Sequence, residues 1–321
     1  MPLARRKVLG AAFALALLGA APASAAPTEL RLDWATYNPL SLLLKERGYL
    51  EEALKPKGIT VRWVQSLGSN KALEFLNAGA IDLGSTAGAA ALVARINGNP
   101  IKAIYAFSRP EWTALVTRKD TGITKPADLK GKRVAVTRGT DPHIFLIRAL
   151  QGAGLTEKDA KLVLLQHPDG RTALDRGDVD AWAGLDPMMA AAEIENGDVL
   201  FYRDAAANTW GVLDVREAFA KENPDLVRAV VAAYERVRQE ALKDPAALKA
   251  ALVTATKLPE AVVAKQLERT DLSQPEIGPV QAEAIRAAGL ALQQAGVIAA
   301  DVDVPKAVDG LIDTGFNPKG P

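Results

Sequence analysis

The fold is decided by the stretch Leu73-Glu74-Phe75-Leu76-Asn77-Ala78-Gly79-Ala80-Ile81-Asp82-Leu83-Gly84-Ser85-Thr86. Its first half has the apolar spacing of a helix, and Gly79 is suited to the left-handed cap that ends one. The β-branched Ile81 then opens a short buried strand. The same pattern returns at Asp175-Arg176-Gly177-Asp178-Val179-Asp180. A single repeat at this distance predicts two lobes of similar topology, not a solenoid.

Short apolar strands alternate with amphipathic helices on both sides of this stretch. Strands are predicted at 29–33, 60–65, 81–84, 101–107, 113–117, 133–137, 161–166, 179–183 and 199–202. Helices are predicted at 40–54, 70–77, 87–97, 142–153 and 171–176, and after Gly211 at 215–221, 224–243, 245–255, 259–269 and 281–294. The fold class is therefore α/β, with parallel βαβ units and open, doubly wound sheets covered by helices on both faces.

The repeat and the late run of helices predict a discontinuous first lobe, residues 26–109 plus 210–321, and a continuous second lobe, residues 110–209. The chain would cross between the lobes twice, near 107–112 and near 205–211. Two crossings form a hinge, and closure around a ligand is the motion that such a hinge favours.

The first 25 residues have the pattern of an export signal. Arg5, Arg6 and Lys7 precede an uncharged run from Val8 to Ala20, and Ala23-Ser24-Ala25 is a small-x-small cleavage site. Arg5-Arg6 leaves the twin-arginine route open beside the general one. The sequence has no cysteine, so neither a lipid anchor nor a disulfide is expected. We expect a free periplasmic protein, cleaved near Ala25.

The overall charge is close to zero, with 39 basic and 38 acidic side chains. Removal of the signal leaves 36 against 38, a net charge of −2. Such a balance argues against nucleic acid or an anionic membrane surface as a partner. The two histidines, His143 and His167, have no cysteine or carboxylate partners at metal-ligand spacing, so no metal and no cofactor are expected.

Small polar loops follow four of the predicted strands. They are Trp34 to Pro39, Gly68-Ser69-Asn70, Gly84-Ser85-Thr86-Ala87-Gly88 and Arg138 to His143. Ligands of doubly wound sheets bind beyond the carboxyl ends of the strands, where free N–H groups at helix starts attract anions. Ordinary helix capping explains any one of these loops equally well. Four of them at one edge favour an anion site.

Four of the five tryptophans fall at strand ends or at the predicted crossings. They are Trp34, Trp112, Trp182 and Trp210. Aromatic side chains in these places suit a cleft that receives an apolar tail or a ring. Core packing is the alternative for each of them.

The stretch 73–86 resembles the periplasmic aliphatic-sulfonate-binding proteins of ABC importers. Three further segments share the resemblance, at 127–135, at 146–155 and at 177–183 with Asp186-Pro187. The resemblance implies a type 2 periplasmic-binding fold. It also implies anion contacts from loops that match Ser69-Asn70, Ser85-Thr86 and Gly139-Thr140, with the segment from Trp182 to Asp186 near the cleft.

The sequence departs from the family pattern at three loops. Ala35-Thr36-Tyr37-Asn38 stands where the family often has Gln-Lys-Gly, and Ala87-Gly88-Ala89-Ala90 follows Thr86 where Gly-Asp-Ala-Pro is usual. Arg138-Gly139-Thr140-Asp141 replaces Lys-Gly-Ser-Ser. An acid at Asp141 fits an anion site only if it caps the helix or meets a cationic part of the ligand. The ligand is thus less well specified than the fold.

We therefore expect a solute-binding component of an ABC importer that captures an organic anion, foremost an aliphatic sulfonate, and delivers it to a membrane permease as a monomer. Taurine, an aromatic sulfonate or acid, nitrate and a thiamine-type pyrimidine stay open as ligands. An enzyme of this fold would need cysteine chemistry, and a transcription regulator would need an N-terminal DNA-binding domain, so neither is expected. The candidate ligand-binding residues are Thr36, Tyr37, Asn38, Ser69, Asn70, Ser85, Thr86, Gly139, Thr140, Asp141, Trp182, Asp186 and Trp210.

Overall fold

The structure is a computed structural model that describes residues 27–318. The predicted signal and its cleavage site at Ala25 lie outside these residues. The strands are β1 (Glu29–Trp34), β2 (Thr60–Gln65), β3 (Leu83–Ala87), β4 (Ile101–Pro110), β5 (Leu115–Thr117), β6 (Arg133–Val136), β7 (Lys161–Leu164), β8 (Ala181–Ala183), β9 (Val199–Tyr202), β10 (Gly211–Arg216) and β11 (Thr270–Asp271).

The helices lie between these strands and after them. They are α1 (Pro39–Arg47), α2 (Tyr49–Leu54), α3 (Ser69–Asn77), α4 (Gly88–Ile96), α5 (Asp141–Gly152), α6 (His167–Arg176), α7 (Met188–Ala191), α8 (Glu217–Glu222), α9 (Pro224–Lys243), α10 (Pro245–Thr256), α11 (Glu260–Glu268), α12 (Pro279–Gln294) and α13 (Val304–Leu311). Within residues 27–318, no helix combines the length and the apolar character needed to cross a membrane.

The two sheets repeat one topology. The first lobe is built on a six-stranded sheet of order β11-β4-β10-β3-β1-β2, and the second lobe on a five-stranded sheet of order β7-β6-β8-β5-β9. In each sheet, one central strand runs antiparallel to both of its neighbours, β10 in the first lobe and β5 in the second. Both follow directly on a crossing from the other lobe. The chain therefore crosses twice, as predicted, and each crossing inserts a strand into the middle of the sheet that it enters.

The repeated Gly-x-Ile/Val-Asp pattern has one structural role in both lobes. The carboxylate of Asp82 accepts hydrogen bonds from the backbone N–H of Arg31 at 3.0 Å and from its guanidinium at 2.8 Å, and Arg31 also donates to the carbonyl of Gly79. Asp180 accepts the equivalent bonds from Arg133 at 2.8 Å and 3.1 Å. Each pair joins the first residues of a central strand to the turn that precedes the next one, at the end of the sheet remote from the βα junctions.

Both faces of the second sheet are covered. Val134 and Val136 of β6 point into one cluster with Phe145 and Leu146 of α5, whereas Ala135 faces the opposite cluster with Trp182. Alternate residues of a strand point to opposite faces, so both faces of this short strand must be apolar. The large core of the first lobe extends to the boundary between the lobes, where it includes Tyr37, Trp112, Ile144, Ile147, Leu185 and Trp210. Since three of these come from α5 and the end of β8, the lobes are packed together.

The structure corrects several predicted elements. The predicted helix 40–54 is two helices, because Gly48 adopts a left-handed conformation at φ 65. The third strand spans Leu83–Ala87 and not 81–84, and all five of its residues are buried. Strand β10 occupies Gly211–Arg216, so the predicted helix 215–221 begins two residues later, at Glu217. Periodicity cannot separate a short buried strand from a helix, and the neighbouring β3 and β4 decide the matter here.

We predict unequal roles for the two repeated aspartates in stability. Asp82 is 1% exposed and also accepts from Arg216 at 2.6 Å, so Asp82→Ala leaves two guanidinium groups without their partner and is expected to lower the free energy of unfolding by about 3 kcal/mol. Asp180 is 27% exposed, and Asp180→Ala should cost about 1 kcal/mol. Chemical denaturation of both variants measures this; equal losses would contradict it.

Candidate functional site

Six helices begin just beyond the carboxyl ends of parallel strands. In the first lobe α1, α3 and α4 follow β1, β2 and β3, and in the second lobe α5, α6 and α7 follow β6, β7 and β8. The carboxyl ends of both sheets face each other across the seam between the lobes. Each helix start carries N–H groups without an intrahelical acceptor and the positive end of a helix dipole. A helix start whose N–H groups have no acceptor in the protein is therefore a place where a ligand is able to bind.

At the start of α1, the hydrogen-bond partners come from the first lobe itself. The side chain of Asn38 accepts from the N–H of Ser41 at 3.2 Å and donates to the hydroxyl of Ser85 at 2.8 Å. The hydroxyl of Tyr37 donates to the carbonyl of Ser85, and the carbonyl of Thr36 accepts from Gln266. Of the first predicted loop, only Tyr37 therefore reaches the seam.

The start of α4 also finds hydrogen-bond partners within the protein. The two hydroxyl residues predicted for this loop, Ser85 and Thr86, lie inside strand β3. Ser85 donates from both its N–H and its hydroxyl to Asp33, and Thr86 donates to Asp214 at 2.6 Å. Burial raises the pKa of Asp33 to about 6 and that of Asp214 well above its usual range. Ser85 and Thr86 are thus 0% exposed partners of buried carboxyls. The two residues do not open a helix, because β3 ends three residues later than the predicted strand; their contact with a ligand stays a prediction.

The first two N–H groups of α4 donate hydrogen bonds to the second crossing between the lobes, at residues 209 and 210. Gly88 donates to the carbonyl of Trp210 at 2.9 Å, and Ala89 donates to the hydroxyl of Thr209 at 3.3 Å. In the second lobe, the start of α7 is capped by Asp186, whose carboxylate accepts from the N–H of Ala190 at 2.9 Å. At the starts of α1, α4 and α7, a side chain or the second crossing therefore bonds at least one of the leading N–H groups.

The starts of α3, α5 and α6 are not satisfied in this way. None of the three has a side-chain cap. Within the described part of the chain, the N–H groups of Ser69 and Asn70, of Asp141, and of His167 have no hydrogen-bond acceptor. The hydroxyl of Thr140 donates to the carbonyl of Thr137, whereas that of Ser69 accepts from the N–H of Ala87 and keeps its own hydrogen for another partner. Three open helix starts from both lobes therefore meet at one seam.

A small cavity lies beside these helix starts. Its walls come from both lobes and consist of Tyr37, Ser69, Trp112, Thr140, Asp141, Pro142 and Leu185. Its volume is about 10 Å³, roughly the space that one water molecule requires. Four of the predicted site residues (Tyr37, Ser69, Thr140 and Asp141) meet here, with no lysine or arginine among the wall residues. A larger molecule enters only if the lobes separate.

Asp141 joins the two crossings to the second lobe. Its carboxylate accepts from the indole N–H of Trp112 at 2.8 Å, from the N–H of Thr209 at 3.0 Å and from the hydroxyl of Thr209 at 2.6 Å. Burial raises its pKa, against the effect of these donors. The acid that was hard to reconcile with an anion site is therefore held by the hinge, at the positive end of α5.

The tryptophans are distributed differently from the prediction. Trp112 lines the cavity and meets Tyr37 edge to face, with their rings 5.9 Å apart. Trp182 is fully buried within the second lobe and lies against Gly170. Trp210 is buried in the first core, and Trp34 lies under Lys45. Trp182 lies in the middle of strand β8 and Trp210 lies in the second crossing, and both rings point into the cores.

A buried arginine links the lobes on the side of α7. Arg269, at the end of α11, is 6% exposed and pairs with Asp186 at 3.4 Å and with Glu193. Burial raises the pKa of Asp186 to about 7, although the charge of Arg269 lowers it. Beside this pair, Val262 of α11 packs on Ala190 and Ala191. Asp186 is therefore an interlobe contact, next in sequence to the cavity-wall residue Leu185 but not itself part of the wall.

Sequence reasoning missed two groups at the seam. Gln166 and His167 begin α6, after a strand, in the same relation as the four loops that were noted; the Pro168 that follows was the available signal. Arg269 has no local signal, because its partners lie more than 70 residues away in the sequence. Among residues 27–318, no group of histidines and acids has the geometry to hold a metal ion.

Comparison with known proteins gives consistent results. The family model described as NMT1/THI5 like matches residues 41–248. A protein of Escherichia coli (strain K12) named as an aliphatic sulfonates-binding protein is 30% identical over 292 residues, 90% of this chain and 89% of that protein. The taurine-binding periplasmic protein of the same strain is 30% identical over 197 residues, 60% of each chain.

A solved structure extends the similarity to three dimensions. The alkanesulfonate-binding protein from Xanthomonas axonopodis pv. citri, bound to MOPS, superposes with a TM-score of 0.80 at 25% identity, over 88% of this chain and 99% of that one. The order of strands, the two crossings and this superposition agree on one architecture. This protein belongs to the NMT1/THI5-like family, and its fold is the type 2 periplasmic-binding fold.

Proposed function

We propose that this protein is the solute-binding component of an ABC importer, which captures an aliphatic sulfonate between its lobes and delivers it to a membrane permease. The observation that carries the proposal is the convergence of three unsatisfied helix starts, α3, α5 and α6, from both lobes at one seam. Free N–H groups at helix starts bind anions without a cationic side chain. The names of the relatives support sulfonate as the anion.

The cavity beside the helix starts suits the rest of such a ligand. Tyr37, Trp112, Pro142 and Leu185 give it an apolar side, and Ser69 and Thr140 give it a polar one. An alkanesulfonate has the same two-sided character. A cationic amine on the ligand would find Asp141 already holding three donors, so we place an alkanesulfonate ahead of an aminosulfonate such as taurine. The related taurine-binding protein keeps taurine as the second candidate.

Binding requires the lobes to open and close. The crossings at 111–114 and 203–210 are the hinge, and Asp141 holds both of them. Interlobe contacts at Arg269 and Val262 favour the closed form. We further propose that binding occurs without turnover, in the periplasm, by a monomer; the lobe boundaries at 109/110 and 209/210 are part of the same proposal.

We predict that Ser69→Ala weakens the binding of ethanesulfonate by about 10- to 100-fold, because a hydrogen bond to a charged group is lost. Its hydroxyl is the one in the cavity wall whose hydrogen is uncommitted. Titration calorimetry measures the change. Ser273→Ala removes an exposed hydroxyl away from the seam and should leave the affinity unchanged. Equal affinities for the two variants would refute the placement of the ligand.

We also predict that Arg269→Met weakens ethanesulfonate binding by about 10-fold. The closed form would then bury Asp186 and Glu193 without their counter-charge, which shifts the population towards open forms. The control is Arg236→Met, since Arg236 pairs with Glu52 within the first lobe and is 57% exposed. Small-angle scattering should show a larger radius of gyration for Arg269→Met alone; no difference between the variants would exclude the closure role.

A further inference from the structure

We propose that the anionic head of the ligand binds between Gly68-Ser69-Asn70 of the first lobe and Gln166-His167 of the second, and that His167 donates a hydrogen bond to it. The inference rests on the proposed function and deepens it, because it assigns the head group a place and a selecting side chain. The apolar tail then lies in the cavity beside Tyr37 and Trp112, which Ser69 and Thr140 connect to this seam.

The first support is a set of buried polar atoms at this seam. His167 is 0% exposed, and neither of its ring nitrogens has a hydrogen-bond partner among the described residues; the same is true of Oδ1 of Asn70. A polar group that loses water on burial and gains no partner destabilises the closed form. A ligand oxygen placed here would accept from the one N–H of the neutral His167 ring, whereas Oδ1 of Asn70 is itself an acceptor and would need a donor.

The second support is the close approach of the two lobes at Gly68. A Cβ added to Gly68 would lie 2.8 Å from Oδ1 of Asn70 and 3.1 Å from Nε2 of His167. The edge of the His167 ring therefore points at the start of α3. Gly139, which precedes α5 and has φ 77, lies on the same side, with a Cβ there 3.8 Å from Cβ of Asn70. The side chain and three helix starts thus converge on one place.

The number of helix starts favours a tetrahedral oxyanion. A sulfonate presents three oxygens, and three helix starts, those of α3, α5 and α6, bring free N–H groups to the seam. A carboxylate presents only two oxygens in one plane. The ring of His167 is neutral, because burial lowers its pKa to about 3, so it offers one N–H and adds no charge. The site would then select a ligand by the arrangement of its oxygens as well as by its negative charge.

The test uses ethanesulfonate and propionate as probes, with the mature protein and titration calorimetry. His167→Leu is expected to weaken ethanesulfonate binding by about 10-fold or more, while the thermal midpoint of the ligand-free protein stays the same or rises. His167→Gln keeps a donor and should retain most of the affinity. His143→Gln is the matched control, because the ring of His143 is already paired with Glu157 at 2.8 Å, and its affinity should equal that of the wild type.

A spectroscopic readout separates contact from support. The chain has two histidines, so the ring signals of His167 are assigned in the His143→Gln variant, and ethanesulfonate should shift them by direct contact. Unchanged ring signals, unchanged affinity of His167→Leu, or equal losses of affinity and stability in both His167 variants would each overturn the inference. A wild-type protein that binds no sulfonate would instead refute the proposed function. Propionate that binds as tightly as ethanesulfonate would overturn the three-oxygen assignment.

Discussion

The pairing of Arg31 with Asp82, repeated as Arg133 with Asp180, is the interaction on which the remaining architecture depends. It fixes the first residues of a central strand to the turn before its neighbour in each lobe, at the end remote from the seam. The strands of each sheet are thereby held together at the end remote from the seam. Every helix start that faces the other lobe lies at the opposite, carboxyl ends of the strands. The arrangement separates the part of each lobe that provides stability from the part that is available for a ligand.

Helix starts at the seam have two different roles, one structural and one in binding. Asn38 and Asp186 each accept from one N–H at the starts of α1 and α7, and Thr209 and Trp210 of the second crossing accept from two at the start of α4. The starts of α3, α5 and α6 have no comparable partner. A helix start that the protein satisfies is structural, and one that it leaves open is available for an anion. Asp141 sits among the open ones without repelling a ligand directly, since its carboxylate is held by Trp112 and Thr209.

The hinge and the ligand seam are physically continuous. Asp141 begins α5, whose start is open to the seam, and the same carboxylate bonds the residues of both crossings. Movement of the second lobe therefore moves α5 relative to α3. On the other side, Arg269 ties the C-terminal helices of the first lobe to Asp186 and Glu193 of the second. Contacts between the lobes therefore occur at two places besides the cavity itself.

The sequence by itself determined the α/β class, the two-lobed repeat, the two crossings and four of the six loops at which the helix starts lie, because strand and helix periodicity and Gly-x-Ile/Val-Asp turns are local signals. It could not determine which loops are open. Ser85 and Thr86 have the residue types of an anion loop, yet Asp33 and Asp214, distant in sequence, claim their hydroxyls. The tertiary structure alone decided that strand β10 lies between β3 and β4, that Trp182 and Trp210 turn into the cores, and that His167 meets Gly68. Each of these depends on partners far along the chain, whose positions no local pattern encodes.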